Sequence, residues 1–258
     1  MKISKAAAAA AVAVALSLTA TACGGSEKDA ASDGGASGGA KTDKIVVGIK
    51  YDQPGLGLKT PDGKFTGFDV DVATYIAKEL GYQPDQIEFK QAPSAERENL
   101  IKNGDVKFIA ATYSINDKRK ESVDFAGPYF LAHQDLLVRA DDTSITKVED
   151  LNKKKLCSVT GSTSAQNIKK TLAPEADLLE LGGYSECLSG LENKKVDALT
   201  TDNSILAGYA AQEKNKGKFK LVGLSMTETS ISISPVGSSG LTLSAPRETT
   251  LPSMRTTV

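Results

Sequence analysis

The chain has 258 residues, 40% of them hydrophobic and 24% charged, with 31 Lys+Arg against 32 Asp+Glu and a formal net charge of −1. This near-neutral balance, the lack of tryptophan and an aromatic content of 5% argue against a phosphate-tracking surface or a base-stacking platform, so no nucleic-acid partner is expected. His133 is the single histidine, and the cysteines at 23, 157 and 187 offer neither zinc-ligand spacing nor a Cys/His catalytic pair, so no metal and no cofactor is expected.

Lys2 and Lys5 precede an apolar stretch from Ala6 to Leu18, shorter than the ~20 residues that span a bilayer. A charged start, a short apolar core and the small residues Ala20, Thr21 and Ala22 read as a secretory signal over 1–22. Cys23, followed by Gly24 and Gly25, resembles a lipobox cysteine that carries lipid, although Ala20 stands where that pattern prefers leucine. The other reading is ordinary cleavage nearby that leaves a free thiol. Residues 23–43 are mostly Gly, Ser and Ala with a few charges, the composition of a flexible tether. An acyl chain on such a tether would hold an exported domain at the outer face of the membrane.

From Lys44 onward, short β-branched runs alternate with helical periods, a pattern of α/β architecture with largely parallel strands. Strands are expected at 44–49, 87–89, 106–111, 134–139, 156–160, 178–181 and 196–201. Phe68, Val72, Ala73, Ile76 and Leu80 share one helical face that Gly81 closes, and Ser94 is placed to cap a helix running to Asn103. Further helices are expected near Ser162, Ser185 and Asn203. Two groups of strands, separated by an irregular stretch from Phe125 to Ala132, suggest lobe 1 over 44–131 and lobe 2 over 132–225.

In parallel α/β lobes, ligands bind at the carboxyl ends of the strands. Three such ends carry polar residues: Thr112 to Arg119, Thr160-Gly161-Ser162-Thr163, and Thr201-Asp202. An arginine fork suits a carboxylate and an aspartate suits an ammonium group, so Arg119 and Asp202 together would hold an α-amino acid by both poles. Each residue alone also reads blandly: Arg119 as a solvated charge, the Thr-Gly-Ser-Thr run as a helix start, and Asp202 as an N-cap.

Gly67-Phe68-Asp69-Val70-Asp71-Val72-Ala73, Gly104-Asp105-Val106, Ser114-Ile115-Asn116-Asp117-Lys118-Arg119 and Val123-Asp124-Phe125-Ala126-Gly127-Pro128-Tyr129 together resemble the family 3 solute-binding proteins of ABC transporters. The resemblance covers about 44–224, and Gly48 to Gly57 is similar in particular to the actinobacterial glutamate-binding lipoproteins of that family. It implies a two-lobed α/β fold of the periplasmic-binding-protein type II, joined by a two-segment hinge. It also implies a monomer that passes an amino acid to membrane permease subunits.

Position by position, the resemblance assigns Arg119 to the α-carboxylate, assisted by Thr112, Ser114 and Thr163, and Asp202 to the α-ammonium. Lys50 and Arg97 match the basic positions of members that take acidic ligands, and Ser94, Thr160 and Tyr184 fall where further donors are expected. Without the resemblance, Lys50 reads as a charge at a strand end and Arg97 as an exposed helix residue between Glu96 and Glu98. With it, three cations and one aspartate favour glutamate or aspartate over a neutral amino acid. The alternative function is an enzyme on the same fold, such as a cyclohexadienyl dehydratase, which would need a poised carboxylate or base for which no spare candidate is evident.

Cys157 and Cys187 both fall in the second lobe, and an exported compartment is oxidising, so a disulfide is expected between them. The alternative is that Cys157 is simply a buried strand residue. After Leu224 the family continues with a return strand and closing helices, whereas 226–258 is rich in Ser and Thr and interrupted by Pro235, Pro246 and Pro252. This tail reads as low complexity and mobile, standing where lobe 1 would be completed, and a change of reading frame near Leu224 is favoured over a native variant.

Overall fold

A computed structural model describes residues 43–226 and 228–235. The signal segment, the Cys23 lipid site, the tether up to residue 42 and the tail from 236 lie outside the described residues.

The first half of the fold opens with β1 (Ile45–Ile49), followed by a small antiparallel sheet of β2 (Asp52–Gln53), β3 (Gly57–Lys59) and β4 (Phe65–Thr66). Helix α1 (Phe68–Glu79) forms because Val70, Ala73, Ile76 and Ala77 recur at helical spacing and bury against Ile45, Val47 and Ile49 of β1. Asp69 and Asp71 complement its N-terminal dipole and Lys78 its C-terminus. Gly81 ends it at φ +87, donating its N–H to Lys78 O at 2.8 Å. Next come β5 (Ile87–Gln91), α2 (Arg97–Lys102), β6 (Phe108–Ser114) and α3 (Asp117–Lys120).

The second half contains β7 (Ala126–Arg139), β8 (Lys155–Val159), α4 (Thr163–Asn167), β9 (Asp177–Leu181), α5 (Tyr184–Glu192), β10 (Ala198–Asp202), α6 (Asn203–Ala210) and β11 (Phe219–Leu221). The chain then returns as β12 (Glu228–Pro235). The main sheet runs β5-β1-β6-β12-β7-β10-β8-β9, with β11 also on β7. Its outer portions are parallel (β1 with β5 and β6, β8 with β9 and β10), while β12 and β7 are antiparallel to their neighbours.

Strand β7 belongs to both halves. Ala126 to His133 pair with β12 and Gln134 to Val138 pair with β10. The return crossing passes Met226, whose N–H donates to Gln134 O at 2.8 Å. The stretch expected to be irregular, 125–132, is therefore strand from Ala126. Gly127 and Pro128 disguised it, and they sit opposite a register shift between Ile231 and Ile233 of β12, where a proline can be accommodated without a lost ladder bond.

The tail requires a larger correction. Residues 228–235, expected to be mobile and without a return strand, form a central strand between β6 and β7. Ile231 and Ile233 are 1% and 6% exposed, and Ile233 joins the β1–α1 core. The Ser-Ile-Ser-Ile-Ser alternation is a strand period. Ser232 and Ser234 are buried because β12 lies inside the sheet, so composition alone concealed it.

Two further differences are local. Ser94 does not cap a helix, since α2 begins at Arg97 and the Ser94 hydroxyl instead accepts from Lys50. Strand β6 begins at Phe108 and continues through Ser114, so Thr112 and Ser114 are strand residues. The Cys157–Cys187 disulfide is present, with Cα atoms 5.5 Å apart, and ties β8 to α5 within the Leu188, Leu191 and Leu199 core.

Candidate functional site

The carboxyl ends of β1 and β6 and the starts of α2 and α3 build one wall of a cleft. Lys50 follows β1, Arg97 opens α2, and Thr112 and Ser114 end β6. Asn116 caps α3, its side chain accepting from the Arg119 N–H at 2.9 Å, and so fixes the turn that carries Arg119. The other wall comes from Gly161 to Ser164 after β8, Tyr184 on α5, and Thr201 and Asp202 at the end of β10.

Arg119 is 6% exposed and spans the walls, donating from Nη1 to Ser114 O at 2.8 Å and from Nη2 to Gly161 O at 2.9 Å. Its Nε lies 3.5 Å from Glu98 Oε1. Arg97, 2% exposed, donates from Nη1 to Ala111 O at 3.1 Å and from Nε to Ser94 O at 3.4 Å. Both guanidiniums face the Tyr113 ring, at 4.1 Å for Arg97 and 4.8 Å for Arg119. Lys50 Nζ donates to Ser94 Oγ at 2.8 Å. Among the described residues neither Lys50 nor Arg97 forms a salt bridge.

Burial governs the protonation of this wall. Desolvation, followed by the Arg97 charge, pushes Lys50 down to about 7, and desolvation followed by Arg119 brings Arg97 down to about 10. Burial lowers Arg119 as well. On the opposite wall, burial and then the Asp202 charge push the Tyr184 hydroxyl up to about 12. Asp202 occupies the N-cap position of α6 but its side chain makes no capping hydrogen bond there, so the bland N-cap reading fails.

The inner cavity gathers Ser94, Arg97, Thr112, Ser114, Arg119, Thr163, Tyr184 and Asp202 from the expected set. Ser114 Oγ and Thr163 Oγ1 approach to 3.3 Å across it. Lys50 joins from behind through Ser94. Thr160 is placed differently: it is exposed and lines an outer groove with Glu98 and Lys118. The inner cavity encloses about 10 Å³ and the outer groove about 280 Å³. Small-molecule sites commonly hold ~300–1,000 Å³, so the inner cavity in this conformation is too small for a small-molecule ligand.

Ser162 and Thr201, read from the sequence only as polar residues at strand ends, also line the cavity, and sequence reasoning missed Ser164 and several supporting residues. Asp69, fully buried in the first turn of α1, accepts from Thr112 N–H at 2.9 Å and from the Tyr129 hydroxyl at 2.7 Å. These bonds hold Thr112 at φ +47, a conformation strained for a β-branched residue. Burial raises the Asp69 pKa against those bonds. Gln53, also fully buried, accepts from the Thr112 hydroxyl at 3.0 Å while its Nε2 has no hydrogen-bond partner among the described residues.

Residues 45–159 match bacterial extracellular solute-binding proteins, family 3. The chain is 50% identical over 206 residues to the glutamate-binding protein GluB of Corynebacterium efficiens, covering 78% of this chain and 68% of that protein. It is 44% identical over 177 residues to a glutamine-binding protein of Geobacillus stearothermophilus, covering 68% and 67%. In structure it is similar to an ancestral arginine-binding protein bound to glutamine, with a TM-score of 0.71 and 33% identity over 77% of this chain and 86% of that one. The two parallel halves joined by β7 and β12 form a type II periplasmic-binding-protein fold. With its family model, its relatives and its cleft in agreement, the chain belongs to the bacterial extracellular solute-binding proteins of family 3.

Proposed function

We propose that this protein captures an acidic amino acid, glutamate first and aspartate second, between its halves and delivers it to the permease of an ABC transporter. The observation that carries this reading is the burial of Lys50, Arg97 and Arg119 on one wall, with Asp202 on the other. Arg119 has Glu98 beside it, but buried Lys50 and Arg97 have no salt-bridge partner among the described residues, which is costly, and a ligand carrying two carboxylates and one ammonium supplies the missing charge. In this reading Arg119, with Ser114 and Thr163, takes the α-carboxylate, Asp202 takes the α-ammonium, and Lys50 and Arg97 take the side-chain carboxylate. The name of the Corynebacterium relative, a glutamate-binding protein, supports the same ligand class. In this reading the chain acts as a monomer, and as a binding module and not a catalyst, the latter in keeping with the names of its relatives.

Isothermal titration calorimetry against the twenty amino acids tests the ligand. Glutamate is expected to give the tightest binding; binding of glutamine but not glutamate would overturn the acidic specificity, and heat from no amino acid would overturn the function. The export signal over 1–22 and a lipid on Cys23 would anchor the protein outside the cell. Metabolic labelling with palmitate that persists in Cys23→Ala would overturn the anchor.

A further inference from the structure

Away from the cavity, the two halves meet at a second place. Asp52 lies in β2 of the first half, yet its Oδ2 accepts from both the N–H and the hydroxyl of Ser185 on α5, each at 3.2 Å. The buried Tyr209 hydroxyl of α6 donates to the Asp52 carbonyl and lies 3.4 Å from Oδ2. Two glycines of the second half face this turn. A Cβ on Gly208 would stand 2.1 Å from Pro54 O, and one on Gly183 would stand 2.8 Å from Asp52 Oδ2.

Neither glycine is explained by its own backbone. Gly183 has φ −142, which any residue adopts, and Gly208 lies inside α6, where glycine is the poorest helix former short of proline. Close approach of the opposite half accounts for both. None of Asp52, Pro54, Gly183, Ser185, Gly208 and Tyr209 lines the inner cavity.

We propose that the Asp52–Pro54 turn is a latch whose seating on α5 and α6 holds the cleft shut and sets ligand affinity without touching the ligand. The effect on affinity rests on the binding function proposed above; the effect on closure does not. A protein whose binding-competent closed form is only partly populated binds with an affinity reduced by that fraction, so a residue that stabilises closure strengthens binding from a distance. Asp52 is a positioning residue in this sense.

The test places spin labels at Lys107→Cys and Lys195→Cys, exposed positions on the two halves, in the full chain carrying Cys23→Ser. Gly208→Ala is expected to shift the unliganded distance distribution to longer values and to weaken glutamate binding at least tenfold, mainly through faster release. Asp52→Asn should move both readouts in the same direction by less. Gly190→Ala on α5, where a Cβ would meet only Val196 Cγ2 at 3.5 Å, should leave both unchanged. Unchanged distances in Gly208→Ala overturn the latch whether or not any amino acid binds. Should Gly208→Ala lose its thermal unfolding transition, the double variant Asp52→Asn, Tyr209→Phe decides in its place, with wild-type distances overturning the latch. Shifted distances in a protein that binds no amino acid leave the latch standing and overturn the proposed ligand instead.

Discussion

The two walls of the cleft differ in kind. The first is cationic, with Arg97 and Arg119 held by backbone carbonyls at 4.1 Å and 4.8 Å from the Tyr113 ring centroid. The second is a hydroxyl surface of Ser162, Thr163, Ser164, Tyr184 and Thr201 around a single carboxylate, Asp202. A wall that has already met the cost of burying its cations needs little rearrangement when an anion arrives. The hydroxyl wall offers donors and acceptors that can reorient to a bound polar group. In the proposed function, the first wall would take the charged groups of the ligand and the second would complete its hydrogen bonds.

Removing the support of the first wall should have the largest effect. Truncation after Met226 deletes β12, which pairs with β6 along Phe108 to Ser114 and buries Ile231 and Ile233. At ~1.5–3 kcal/mol for each buried isoleucine, before any ladder bonds are counted, the loss approaches the whole stability of a domain. Calorimetry should show the cooperative melt abolished or greatly lowered, whereas an unchanged melt would deny β12 its place in the sheet.

Arg119→Ala should next remove binding by ~2–5 kcal/mol, because it leaves a ligand carboxylate buried and unpaired. Titration with glutamate measures it, and a wild-type affinity would exclude the cationic wall from the site. Breaking the second half instead, by reducing Cys157–Cys187, should cost about 3 to 4 kcal/mol of stability in the chain-entropy model, while the first wall keeps its hydrogen bonds. Thermal unfolding with and without reductant reports it.

Lys50→Met should have a smaller and selective effect, costing glutamate ~1.5–3 kcal/mol while sparing any weaker glutamine binding. Equal losses for both ligands would remove Lys50 from side-chain recognition. The pH dependence sharpens the same point. Because Lys50 sits at about 7 when folded and near the ordinary 10.5 when unfolded, the unfolded chain holds more protons between those values. Its contribution to stability is therefore unfavourable below pH 7 and is relieved as pH rises toward 10. Glutamate affinity should move oppositely, weakening above pH 7 as the ammonium loses its proton, and Lys50→Met should flatten both slopes.

Much of the fold could be read directly. Strand β1 and helix α1 announced themselves by β-branched run and helical period, and Gly81 marked the helix end. What hid β7 and β12 was their role as crossings: Gly127-Pro128 looks like a break, and a Ser/Thr-rich strand resembles a linker unless its burial is known. The site divided similarly. The poles Arg119 and Asp202 carry charges whose chemistry suggests an amino acid, but Lys50 and Arg97 are plain surface residues until the fold buries them. Asp69 was camouflaged as a helix-dipole residue, although its carboxylate holds Thr112 in place. Gln53 acts through Thr112 within its own half and the glycines at 183 and 208 through approach of the opposite half, and no local pattern encodes either.

The two crossings also prescribe a mechanics. Among the described residues, the chain passes between halves once along β7 near His133 and Gln134 and once near Met226, and the Met226 N–H···O Gln134 bond clasps these strands side by side. A pair of adjacent tethers behaves as an axle, yielding to torsion about its own line and resisting shear. Each group's travel then grows with its lever arm from that axle. Residues beside it, such as Asn203, whose side chain holds the His133 N–H at 3.2 Å, should barely shift, while the amplitude is delivered to the far rim of the cleft.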